Sequence, residues 1–237
     1  MIEKTIEYTH EGCTLEAFAC IPDGATGPRP AVLIAHAWAG RSPFEADKAR
    51  ALATQGYVGI AIDMYGKGVL GSGPEENGAL MKPFLDNRAL LQARFHAALA
   101  MARRDPAVDP TRIAAIGFCF GGLCVLDLAR SGADVRGVVS FHGLLGKPGN
   151  TDGQRISAKV LVLHANDDPM VPVSDVVALE EELSAAGADW QIHTYGNTLH
   201  SFTNPEANDP GFGVKYDANA DRRSRQAMFN FLEEVLA

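Results

Sequence analysis

Cysteine is scarce in this sequence, four residues in 237, which excludes a disulfide-stapled scaffold and leaves free thiols as the ordinary reading. Basic residues are in deficit, with 21 Lys and Arg against 29 Asp and Glu, a formal charge of −8. Nucleic acids and anionic membranes both need a basic footprint, so neither is expected as a partner. No apolar run reaches the ~18 residues of a membrane span. The charged start MIEKTIEYTH lacks the apolar stretch of a signal peptide, so a cytoplasmic location is expected. Repeats, low-complexity tracts and linkers are also missing, and residues 1–237 read as one domain. That length exceeds the usual ~100–150 residues, but a single α/β unit fills it.

What is present is alternation. Residues 2–8 and 13–20 read as an antiparallel hairpin. Apolar runs at 31–37, 57–63, 112–117, 135–141 and 159–164 suit strands buried on both faces, with a further strand at 190–194. Helical patterns cover 43–55, 84–104, 121–130, 173–186 (with Ser174 as N-cap) and 219–236. Residues 64–80 read as an irregular excursion and 201–218 as a polar, Gly/Pro-rich loop. Strands separated by long helices imply an α/β fold with a mostly parallel, doubly wound sheet behind the N-terminal hairpin. Ligands bind outside the carboxyl ends of the strands in such sheets, so residues just after strands carry the information.

Three such places stand out. Gly117-Phe118-Cys119-Phe120-Gly121-Gly122 follows one strand and opens a helix. This is the G-x-C-x-G form of a nucleophile elbow, in which glycines make room for a sharp turn that exposes the central side chain. A helix N-terminus favours a thiolate there, and the Phe120 N–H is placed for half of an oxyanion hole. Cys13, Cys20 and Cys124 read as packing residues. Beyond the strand at 159–164 stand two carboxylates, Asp167 and Asp168, either of which could be an acid partner. Beyond the strand at 190–194, His200 lies in a loop from which an imidazole can reach across the sheet. The order nucleophile, acid, histidine is that of the α/β-hydrolase fold. His200 would take the Cys119 proton and return it to a leaving group, and the acid would fix the tautomer. The other six histidines, His36 and His142 among them, read as hydrogen-bonded structural residues or surface positions.

Two patterns carry less. Gly66-Lys67-Gly68-Val69-Leu70-Gly71 is a literal G-x-G-x-x-G after a strand, but Ser72-Gly73-Pro74 does not open the helix a dinucleotide site requires. No His/Cys/Asp cluster has metal-ligand spacing, so neither metal nor cofactor is expected.

Taken together, these residues resemble the dienelactone hydrolases of the α/β-hydrolase superfamily over nearly the whole chain. The resemblance rests on His36-Ala37-Trp38-Ala39-Gly40, Gly56-Tyr57-Val58, Asp63-Met64-Tyr65-Gly66, the Cys119 elbow, Asp168-Pro169-Met170-Val171-Pro172 and His200-Ser201-Phe202. It implies a Cys119–Asp168–His200 triad, choosing Asp168 over Asp167, and a second oxyanion donor at the Trp38 N–H. The chain departs from the family pattern at two positions. The family commonly carries Glu where Ala37 stands, a residue thought to hold the resting thiol protonated. Without it, a resting Cys119 thiolate–His200 imidazolium pair becomes the hypothesis. The family also carries an Arg, for a substrate carboxylate, where Asn204 stands. Arg88 or Arg94 could hold an anion instead, against the plainer reading of a solvated helix face.

His36, Ala37, Phe118, Phe202, Asn204 and Arg88 are candidates for the substrate pocket, and the aromatic ones are equally good core residues. The expected activity is hydrolysis of a small activated ester, enol lactone or dienelactone-like substrate through an acyl-cysteine, by a monomer or small homo-oligomer. A non-hydrolytic binding protein on the same fold remains open, as does a thioester or C–C bond hydrolase.

Overall fold

The computed structural model describes residues 1–237. Eight strands form one sheet: β1 (Ile2–His10), β2 (Cys13–Ile21), β3 (Arg29–Ala35), β4 (Val58–Ala61), β5 (Val108–Phe118), β6 (Gly137–Phe141), β7 (Lys159–Ala165) and β8 (Trp190–Tyr195). Their order is β1-β2-β4-β3-β5-β6-β7-β8. The β1–β2 and β2–β4 pairs are antiparallel and the rest are parallel. A two-residue pair, β9 (Asn208–Asp209) and β10 (Val214–Lys215), sits in the loop after β8. The helices are α1 (Pro43–Thr54), α2 (Pro74–Asp86), α3 (Arg88–Arg103), α4 (Phe120–Arg130), α5 (Val173–Ala185) and α6 (Ala218–Leu236).

The central parallel strands are apolar along their buried stretches because both faces are covered, whereas the edge strand β8 is only partly buried. In β3, Ala31, Leu33 and Ala35 enter the core under α3, α4 and α5, while Val32 and Ile34 enter the core under α1 and α6. This is the expected single-domain α/β architecture with its N-terminal hairpin. No helix is long and apolar enough to cross a membrane.

Three expectations need correction. The excursion at 64–80 contains the first turns of α2. Pro74 occupies the first turn, where a missing N–H costs nothing, and Glu75 and Glu76 face the positive end of the helix dipole. The single helix at 84–104 is instead the end of α2 and all of α3. They are divided at Asn87, whose side chain accepts the Leu90 N–H at 3.0 Å. Helix α5 is preceded by Pro172, so Ser174 lies inside it and caps nothing.

Candidate active site

The Cys119 turn is built by steric exclusion. A Cβ on Gly117 would lie 1.9 Å from the Gly121 carbonyl oxygen, and one on Gly121 would lie 2.1 Å from the Ala35 carbonyl oxygen. The helix therefore starts hard against the ends of β3 and β5. Cys119 takes φ 55° and ψ −115°, a left-handed conformation that costs a non-glycine residue about 1–3 kcal/mol. Its N–H donates to the Phe141 carbonyl at 3.0 Å, and its carbonyl accepts the Gly122 N–H at 2.9 Å, which holds the turn. The thiol is half-buried at the helix N-terminus. Phe120 is the first residue of α4, so its N–H has no carbonyl one turn back to bond. Cys20 and Cys124 are buried, and burial pushes the Cys124 thiol well up.

The loops after β7 and β8 bring Asp168 and His200 together. His200 Nδ1 lies 2.6 Å from Asp168 Oδ2, with both residues almost fully buried. The other oxygen, Oδ1, accepts the Met170 N–H at 2.8 Å. Asp167 points away, exposed and bonded only to Asn166 Nδ2 at 2.9 Å among side chains. The buried His200 Nε2 has no hydrogen-bond partner and is the ring nitrogen left free. Burial works against a charged imidazole, but the neighbouring Cys119 sulfur and the hydrogen bond to Asp168 outweigh it and raise His200 to about 10.

The loop after β3 is tied at several points. Glu45, in the first turn of α1, is buried beneath it. Its carboxylate accepts the Ala37 N–H at 3.2 Å, the Ser42 N–H at 2.8 Å and the Ser42 hydroxyl at 2.8 Å. The Tyr65 hydroxyl donates to the Trp38 carbonyl at 3.0 Å, and the Tyr65 ring stacks on Phe120. Loop 37–42 is thereby held beside the start of α4.

Several candidates for the substrate pocket are structural. His36 is fully buried, with Nδ1 2.7 Å from the Ala37 carbonyl and Nε2 accepting the Met64 N–H at 3.1 Å. Burial lowers its pKa, in keeping with a neutral ring that joins the ends of β3 and β4. Phe118 packs on Phe44 and Phe141, and Phe202 on His142 and Tyr195, all in the core. Arg88 is neither a free anion binder nor a solvated residue. It grips Asp127 with two 2.6 Å hydrogen bonds, and the fully buried Arg130 joins that carboxylate to Glu182. Arg94 is likewise buried, donating to the Met64 carbonyl at 3.0 Å. Asn204 uses its side-chain oxygen to accept the Glu206 N–H at 3.0 Å within its own turn. Ala37 remains at the site, half-buried, with its N–H on Glu45.

Two residues gain a place that sequence reasoning missed. Glu45 was legible, because Ser42-Pro43-Phe44-Glu45 is a capping box. His142 was not. It is buried behind His200 with ring centroids 5.1 Å apart, and its Nε2 lies 2.8 Å from the Thr203 hydroxyl. Burial and repulsion from His200 hold it well below the usual histidine range, so its ring is neutral.

Comparison with known proteins places nearly the whole chain in a family. A model of the dienelactone hydrolase family matches residues 15–236. An uncharacterised protein of Caenorhabditis elegans is 39% identical over 155 residues, 64% of this chain and 98% of its own. A Yersinia pestis protein provisionally named carboxymethylenebutenolidase is 27% identical over 207 residues, 81% of this chain and 75% of its own. Among solved structures, the dienelactone hydrolase-like promiscuous phosphotriesterase P91, from metagenomic libraries, superposes with a TM-score of 0.94. It is 35% identical, with 100% of this chain and 99% of that one covered.

Proposed function

This chain belongs to the dienelactone hydrolase family, a family of carboxylic ester hydrolases, and from that premise we propose that it hydrolyses a small activated ester or enol lactone through an acyl-cysteine on Cys119. The observation that carries this reading is the left-handed Cys119 turn at a helix N-terminus, beside a histidine whose far nitrogen is 2.6 Å from a buried carboxylate. His200 Nε2 takes the Cys119 proton, Cys119 Sγ attacks the substrate carbonyl and a C–S bond forms. The oxygen becomes an oxyanion, which the N–H groups of Phe120 and Trp38 receive. The C–O bond to the alcohol then breaks, and the leaving oxygen takes the proton from His200 Nε2. In the second half, His200 takes a proton from water, hydroxide adds to the acyl carbon, and the C–S bond breaks to free the acid. Asp168 holds His200 with Nδ1 protonated throughout, which keeps Nε2 free for both transfers.

Cys119→Ala is expected to abolish turnover of p-nitrophenyl acetate, and retained activity would remove Cys119 from this role. A second reading, phosphotriester cleavage at the same cysteine, is favoured by the 35% identity to P91 across the whole chain. Paraoxon in the same assay tests it.

A further inference from the structure

The loop carrying Trp38 and the loop carrying His200 meet through a pair of aromatic rings. The rings of Trp38 and Phe212 stack with centroids 6.1 Å apart and planes 22° apart. Phe212 is anchored to both of the other loops. The next residue, Gly213, accepts the His200 N–H at 3.0 Å and packs so closely on Pro169 that a Cβ there would lie 2.2 Å from the Pro169 Cγ. The ring pair therefore bridges the loop that carries the Trp38 amide and the loops that carry Asp168 and His200. Yet Phe212 is 47% exposed, and Leu70, whose Cδ2 would lie 3.0 Å from a Cβ on Gly40 of the Trp38 loop, is 51% exposed. These rings and the Leu70 side chain form apolar surface that an apolar substrate group would cover.

Several cations on neighbouring elements are committed elsewhere. Arg41 pairs with Glu16 at 2.7 Å, Lys67 pairs with Glu7 and Glu16, Arg88 with Asp127, and Arg94 serves the Met64 carbonyl. Lys215, on β10 next to His200, is exposed and forms no ion pair. Apart from the unpaired Lys215, the mouth between these loops offers aromatic and aliphatic surface.

We propose that Trp38 and Phe212 bind an uncharged aryl group on the acyl side of the ester, making neutral arylalkanoate esters better substrates than esters or lactones bearing a carboxylate. This rests on the acyl-cysteine reading above and names the substrate class for that same site. An aryl group slides against the pair and gains stacking as well as burial, whereas a carboxylate loses hydration there without a partner.

Four p-nitrophenyl esters test it on the full chain: acetate, butyrate, 3-phenylpropanoate and hemisuccinate, the last matching butyrate in length but carrying a charge. The 3-phenylpropanoate is expected to exceed hemisuccinate in kcat/KM by at least about tenfold, with butyrate between them. In Phe212→Ala the ratio of 3-phenylpropanoate to acetate activity should fall roughly tenfold, mainly through KM. In Lys215→Gln the ratio of hemisuccinate to butyrate should stay as it was. Hemisuccinate matching or exceeding butyrate, an unchanged ratio in Phe212→Ala, or a hemisuccinate preference that vanishes in Lys215→Gln would each overturn the proposal while leaving the acyl-cysteine reading standing. No turnover of any of the four would overturn both.

Discussion

Asp168 accepts from two directions, and that fixes what an amide would do in its place. Oδ2 faces His200 Nδ1 at 2.6 Å, while Oδ1 takes the Met170 N–H at 2.8 Å. In Asp168→Asn the amide oxygen must stay on the Met170 side, because an NH2 there would set two donors face to face. The NH2 then meets His200 Nδ1, which must accept, and the ring proton moves to Nε2. In that tautomer Nε2 cannot take a proton from Cys119. Asn is nearly isosteric with Asp, so packing changes little and the loss falls on kcat. In serine proteases the same exchange costs about 10⁴ in kcat through the wrong tautomer. A loss of about 10³–10⁴, or roughly 4–5.5 kcal/mol of barrier, is expected here. The assay is kcat/KM for p-nitrophenyl acetate, with thermal unfolding to show that the variant folds. Asp167→Asn runs beside it and should lose less than about twofold, since Asp167 is exposed and has no contact with His200. Asp168→Asn retaining activity within tenfold of the unaltered protein would refute this reasoning. So would an Asp167→Asn variant that loses as much.

The His200 proton makes a prediction about resting reactivity. His200 is raised to about 10, so its charged form persists through neutral pH and is lost as pH climbs through that value. On the hypothesis of a resting thiolate–imidazolium pair, iodoacetamide alkylates Cys119 readily near pH 7. A single transition near 8.5, the free-thiol value, would contradict the thiolate–imidazolium pair. A second prediction concerns the loop that carries the Trp38 amide. Glu45→Ala removes three hydrogen bonds and leaves the Ala37 and Ser42 N–H groups unpaired. The cost should be about 2–4 kcal/mol, seen as a drop in Tm of roughly 10 °C together with a lower kcat. An unchanged Tm would show that the loop holds its shape without the carboxylate.

What sequence could reveal here follows the range of the interaction. The buried strands were legible because β3 feeds apolar side chains to both cores, which leaves no polar position from Ala31 to Ala35. The Cys119 turn was legible because its glycines act within five residues of one another. Helix α2 was hidden because Gly and Pro were read as turn residues, although Pro74 and the two glutamates after it are start signals. Arg88 looked free because its partner, Asp127, lies 39 residues away on another helix. His142 meets His200 only once β6 and the loop after β8 are adjacent, and Phe212 meets Trp38 only after more than 170 residues of chain have folded between them.

The central claim is that Cys119 carries the acyl group. Intact-mass measurement after rapid acid quench, during turnover of p-nitrophenyl acetate, addresses it most directly. One acetyl group per chain, located on Cys119 by peptide mapping and missing in Cys119→Ala, is the predicted result. Turnover at full rate with no adduct, or an acetyl group mapped to another residue, would contradict it.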